Sequence, residues 1–125
     1  MKNGRIAIPS EGNGGLEGLR SGHFGHCSVF TLVDVEDGKI VNVTTAANQE
    51  HSNGGCLVPV NILANHKVNA LIVSGIGGRP LAGFNDVGIK VFFEGRLPQI
   101  QPVVEALIAD SLQMMTVDQA CGGNH

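Results

Sequence analysis

Ser21-Gly22-His23-Phe24-Gly25-His26-Cys27 places two imidazoles and a thiol within five positions, on a backbone loosened by glycine. Neutral imidazole nitrogen and thiolate sulfur are the donors that soft and borderline metals select. A loop at a strand edge lets such donors converge on a ligand without disrupting a core. A second thiol, Cys56, closes His51-Ser52-Asn53-Gly54-Gly55-Cys56 at a predicted helix start, where a thiol's pKa is lowered and the thiolate favoured. A third element, Gly75-Ile76-Gly77-Gly78-Arg79-Pro80, offers backbone N–H groups and a guanidinium to an anion. Arg20, close to His23, adds a second cation.

Each of these residues also has a plainer reading. His23 and His26 can cap backbone carbonyls, and Phe24 reads as an anchor pinning its loop to the core. Cys27, at the mouth of a strand, reads equally as a ligand or as a small buried hydrophobe. Cys56 can be incidental to a glycine turn, and Gly75–Pro80 can be a tight strand-to-helix turn. The glycine run matches neither the dinucleotide fingerprint nor the Walker pattern. His51 reads as a surface residue and His66 as a helix C-terminal group. Cys121 and His125 belong to a frayed end.

The elements that must position these groups follow from periodicity. Arg5–Pro9 reads as a first strand, and Ser10–Ser21 as a glycine-rich loop that stays mobile unless a ligand or partner orders it. Val29–Val35 and Ile40–Thr44 flank Asp37-Gly38, a hairpin signal that makes these strands antiparallel. Leu57, Val60, Leu63 and Ala64 share one helical face, with Pro59 tolerable only in the first turn. Ala70–Ser74 is a continuous apolar strand of the kind buried on both faces. A short helix opens at Arg79-Pro80, and Ile89–Phe93 is the fifth strand. Ile100, Val103, Val104, Leu107 and Ile108 complete an amphipathic helix. The order β-ββ-α-β-α-β-α predicts a single-domain α/β fold with a mixed five-stranded sheet, its second strand antiparallel. One domain is expected over 1–115 and a flexible tail over 116–125. Ligands collect beyond the carboxyl ends of parallel strands, where the three loops fall.

Composition narrows the function classes. At 125 residues and 42% hydrophobic the chain suits one packed domain. Eight basic against 11 acidic residues give −3, which disfavours nucleic acid and anionic membrane. No apolar run approaches the roughly 20 residues of a membrane span, and no signal-peptide core follows Met1. Three cysteines form no disulfide framework and suit a reduced cytoplasm. Nucleophile-elbow, His-Glu-x-x-His and Cys-x-x-Cys signatures are missing, and the spacing does not suit structural zinc. Trp and Tyr are also missing, so strong visible or near-ultraviolet absorption would come from a bound group.

Ile6-Ala7-Ile8-Pro9-Ser10, His23-Phe24-Gly25-His26-Cys27 and Val29–Val33 resemble the dinitrogenase iron–molybdenum cofactor biosynthesis family. Ile72–Gly77 and Ala82–Val91 resemble its second half, so the likeness spans roughly residues 4 to 112. That family includes NifX-type accessory proteins, the C-terminal domain of NifB-type proteins and the orange proteins of sulfate reducers. The resemblance implies a ribonuclease-H-like three-layer fold without the acidic nuclease site. It also implies binding of a preformed molybdenum- or iron-containing sulfide cluster, with the cofactor-binding role of the His-Phe-Gly histidine falling on His23. Orange-protein members hold a molybdenum–copper sulfide cluster largely without conventional ligation, so Cys27 and Cys56 need not be ligands.

The expectation is therefore a cytoplasmic, non-enzymatic carrier or store for an anionic Mo/Fe/S or Mo/Cu/S cluster. Its partners would be the cluster and a donor or acceptor protein. Arg20, His23, His26, Gly77, Gly78 and Arg79 would contact the cluster, and His23, Cys27 and Cys56 would be the metal ligands. The alternatives are an interaction or regulatory module of the same fold without a cofactor, and an enzyme acting through a Cys56 thiolate.

Overall fold

The computed structural model describes residues 2–21, 27–48 and 57–115. Nine elements run in the order β1 (Gly4–Ser10), β2 (Val29–Glu36), β3 (Lys39–Ala47), α1 (Leu57–Asn65), β4 (Ala70–Val73), α2 (Gly78–Asp86), β5 (Lys90–Phe93), α3 (Ile100–Ile108) and β6 (Gln113–Met114). They build one open mixed sheet in the strand order β3-β2-β1-β4-β5-β6. β1 pairs antiparallel with β2 and parallel with β4, and β4 pairs parallel with β5. The sheet has six strands, not the five expected, because Gln113 and Met114 pair antiparallel with Phe93 and Phe92.

The β2–β3 hairpin turns as Asp37-Gly38 predicts. Both residues have positive φ, 53° and 77°, which suits the right-handed twist of a tight hairpin. The three helices share a start device: Pro59, Pro80 and Pro102 each stand third in their helix. A first-turn N–H has no intrahelical partner, so proline costs nothing there and presets φ.

Two cores form because alternate strand residues point to opposite faces. On one face Ala7, Phe30, Leu32, Leu71, Val73 and Val91 pack with Val60 and Leu63 of α1 and Leu81 and Phe84 of α2. On the other, Ile6, Ile8, Val33, Val35, Ala70 and Ile72 pack with Ile100, Val103, Val104 and Leu107 of α3. The result is three layers, helices on both faces of the sheet. No helix among the described residues is long and apolar enough to cross a membrane.

Gly12–Ser21 is built into this frame, contrary to the expected mobility. Ile100 N–H and Gln101 N–H donate to the carbonyls of Gly18 (3.1 Å) and Leu16 (3.1 Å), so the loop caps the start of α3. Arg20 N–H donates to Pro98 O (2.9 Å), and Ser21 N–H to Pro9 O (2.8 Å). Below the loop, Gly15 N–H donates to Thr31 Oγ1 (3.1 Å), Thr31 Oγ1 lies 2.7 Å from Ser10 Oγ, and Ser10 Oγ donates to Ile8 O (2.8 Å). Because the Ser10 hydrogen goes to Ile8, Thr31 is the donor to Ser10 and the chain of bonds is complete.

Candidate functional site at the carboxyl rim

The carboxyl ends of β1, β4 and β5 lie at one rim of the sheet, together with the start of antiparallel β2 and the end of β3. From neighbouring parallel strands the chain leaves in opposite directions. After β1 the glycine loop crosses to the α3 face, where Leu16 packs on the core. After β4 the chain turns to the other face and enters α2, which buries Pro80, Leu81 and Phe84. A divergence of this kind opens a crevice beyond the strand ends, the place where open α/β sheets bind ligands.

The α2 side of the crevice is Ser74–Arg79. Gly77 is the N-cap, extended at φ −73° and ψ 161°, and no side chain caps the helix. Leu81 N–H already donates to Gly77 O (3.2 Å), and Pro80 has no N–H. The first-turn donors left facing outward are therefore Gly78 and Arg79, beside an exposed Arg79 side chain. Gly77, Gly78 and Arg79 thus stand together at the rim, and their chemistry suits an anion.

Arg20 reaches the same rim, but its charge is already matched. Its Nε donates to Leu97 O, its Nη1 to Glu94 O (2.6 Å), and its Nη2 lies 3.2 Å from Glu94 Oε1. Both side chains are only 10% exposed. Glu94 Oε1 also accepts from the backbone N–H groups of Arg96 and Leu97, each at 2.9 Å. Arg20, expected to balance the charge of a guest, is paired in this structure with Glu94.

Cys27 sits at the start of β2, 6% exposed, within the core shared with α1 and α2. Burial pushes its thiol pKa up, an effect only partly offset by hydrogen bonding from the Ser10 backbone and the Asn48 side chain. The burial of Cys27 is that of a small core residue. Asn48, at the end of β3, donates through Nδ2 to Cys27 O (3.0 Å) and lies 3.6 Å from its Sγ. Its buried Oδ1 has no hydrogen-bond partner among the described residues. An orphaned acceptor wants an N–H or water, not a sulfide.

His23, His26 and Cys56 lie outside the described residues, as do Phe24, His51, Cys121, His125 and the expected tail. Among the described residues no group of three His, Cys, Asp or Glu can hold a metal ion. Sequence reasoning passed over Glu94, Asn48 and the Ser10–Thr31 pair. Glu94 carries a usable signal, an acidic residue directly after a strand predicted to end at this rim; the others show only through contacts distant in sequence.

Fold and rim together define a small three-layer α/β protein in which a glycine loop and an uncapped helix start leave the carboxyl rim to opposite faces of the sheet. The chain belongs to the dinitrogenase iron–molybdenum cofactor family, which matches residues 4–110. It is 36% identical over 92 residues to MJ0580, an uncharacterised protein of Methanocaldococcus jannaschii, covering 70% of this chain and 72% of that one. The crystal structure of PH0822 superposes with a TM-score of 0.75 at 31% identity, covering 89% of this chain and 96% of that one. The apo form of the orange protein from Desulfovibrio gigas superposes with a TM-score of 0.80 at 24% identity, covering 91% and 94%, a likeness of fold.

Proposed function

We propose that this protein is a cytoplasmic carrier or store, not a catalyst, for an anionic metal–sulfur cluster of the Mo/Fe/S or Mo/Cu/S type. The observation that carries the reading is the uncapped start of α2 at the switch point, with Gly78 N–H, Arg79 N–H and the Arg79 guanidinium facing outward. Family membership supplies the class of guest. His23 would ligate or orient the cluster, with His26 beside it and Cys56 as a sulfur donor. A sparse, partly backbone donor set suits a guest that must be handed to an acceptor protein.

Anaerobic titration with tetrathiomolybdate, the simplest anionic metal sulfide, tests this. Without Trp or Tyr, the visible and near-ultraviolet signal belongs to the guest. Wild-type protein is expected to bind it, Arg79→Gln roughly two- to fivefold more weakly, and His23→Ala more weakly still, with melting temperatures unchanged. No uptake by wild type, or wild-type affinity in both variants, refutes the reading. A docking module without cargo is the second reading, favoured by Phe93 and Met114, 46% and 47% exposed at the β5–β6 edge. It predicts no uptake at all.

A further inference from the structure

We propose that the buried Arg20–Glu94 pair is a positioning latch that braces the loop side of the crevice and thereby supports cargo binding. The inference rests on the carrier reading. In the sheet β4 lies between β1 and β5. Arg20 is bridged to Ser10 at the end of β1, while its guanidinium reaches Glu94 and Leu97 after β5. The pair thus spans the carboxyl end of β4, the strand that feeds Ser74–Gly77 and the start of α2.

Three groups of the guanidinium and one carboxylate oxygen are engaged, and every contact joins residues distant in sequence or closes the Glu94–Leu97 turn. A buried ion pair is a weak source of net stability, because desolvating two charges offsets their attraction. What it supplies is one geometry. With the latch closed, Gly18–Ser21 is held between Pro9 and Pro98, and the crevice has a fixed wall opposite α2. With the latch open, the same loop loses its side-chain tie to the Glu94–Leu97 turn.

The test replaces the pair by apolar residues of similar length, Arg20→Met with Glu94→Leu, with Glu94→Gln as a second variant should the first not fold. Amide hydrogen exchange reads the loop without cargo, and tetrathiomolybdate titration reads the site. The double variant is expected to fold with a melting temperature somewhat below wild type, because the carbonyls of Glu94 and Leu97 and the N–H groups of Arg96 and Leu97 lose their side-chain partners. Exchange at Arg20 and Ser21 N–H should rise at least tenfold with β1 and β4 unchanged, and affinity should fall at least tenfold. Glu94→Gln should show the same two changes in smaller degree. Wild-type exchange at Arg20 and Ser21 overturns the latch, and wild-type affinity overturns its link to cargo. If wild-type protein binds no tetrathiomolybdate, the carrier reading and the binding half of the proposal fail together, and exchange alone decides the latch.

Discussion

Gly14→Ala is the perturbation that discriminates best between a loop built into the fold and one merely rich in glycine. Gly12, Gly14 and Gly15 all have positive φ, at 60°, 71° and 92°. Alanine at any of them incurs left-handed strain of about 1 kcal/mol, partly offset by about 0.5 kcal/mol of unfolded-state entropy. At Gly12 and Gly15 the added methyl meets nothing within 4 Å, so the net cost should stay near 0.5–1 kcal/mol. At Gly14 it would stand 2.7 Å from Thr31 Oγ1, 3.0 Å from Val29 Cγ2 and 3.2 Å from Thr45 Cγ2. Those atoms belong to adjacent strands and cannot all retreat, and moving Thr31 breaks the bonds joining Gly15, Thr31 and Ser10. Added to that backbone cost, overpacking of about 1–3 kcal/mol and a lost buried hydrogen bond of about 1 kcal/mol put Gly14→Ala at about 2.5–5 kcal/mol. Urea unfolding of the three variants measures the difference. A Gly14→Ala variant within about 0.5 kcal/mol of Gly15→Ala would refute the claim that the loop is seated on the β2–β3 hairpin.

Two further predictions concern charge and thiol. The Arg5 guanidinium, 2.7 Å from Asp34 Oδ1, holds the Asp34 carboxyl below the usual carboxylate range, with Asn42 adding a weaker hydrogen bond. A depressed folded pKa stabilises above the unfolded value and is lost as pH falls through the folded one. Asp34→Asn should therefore cost under about 1 kcal/mol at pH 7, since the pair is 34% and 25% exposed, and should flatten the loss of stability below about pH 4; an unchanged acid slope counts against the pair. Cys27 should react with iodoacetamide at pH 8 at least tenfold more slowly in folded than in urea-unfolded protein, followed by peptide mapping to separate it from Cys56 and Cys121. Fast folded-state labelling would show a thiol more accessible than its burial allows.

Local signals in the sequence were reliable where local physics decides the outcome. Asp37-Gly38 forms its hairpin because two positive-φ residues are what that turn requires, and α3 starts at Ile100, where its apolar period begins. β6 was not legible because Gln113-Met114 has no period to read and becomes a strand only by pairing with β5. The loop after β1 was misread for a similar reason. Its glycines signal freedom, but Gly18 O and Leu16 O meet α3 donors from the far end of the chain. Arg20 looked available as a counter-charge for the same cause, since its partner Glu94 is remote in sequence.

The two helix starts at the rim explain why the hold on a guest should be weak by design. α3 and α2 both begin beyond parallel strand ends, yet only α3 has its first donors engaged, by the loop that crosses to its face. The loop thereby closes one anion site and leaves the other, at Gly78 and Arg79, as the donor set among the described residues. At about 2 kcal/mol for each charge-assisted hydrogen bond, two backbone donors and one guanidinium supply about 6 kcal/mol. That corresponds to a Kd of about 40 µM before the cost of association is subtracted. Any tighter retention must come from groups outside this set, His23 foremost. The His23→Ala variant should therefore bind tetrathiomolybdate no more tightly than tens of micromolar, and submicromolar binding by that variant would place the main hold elsewhere on the protein.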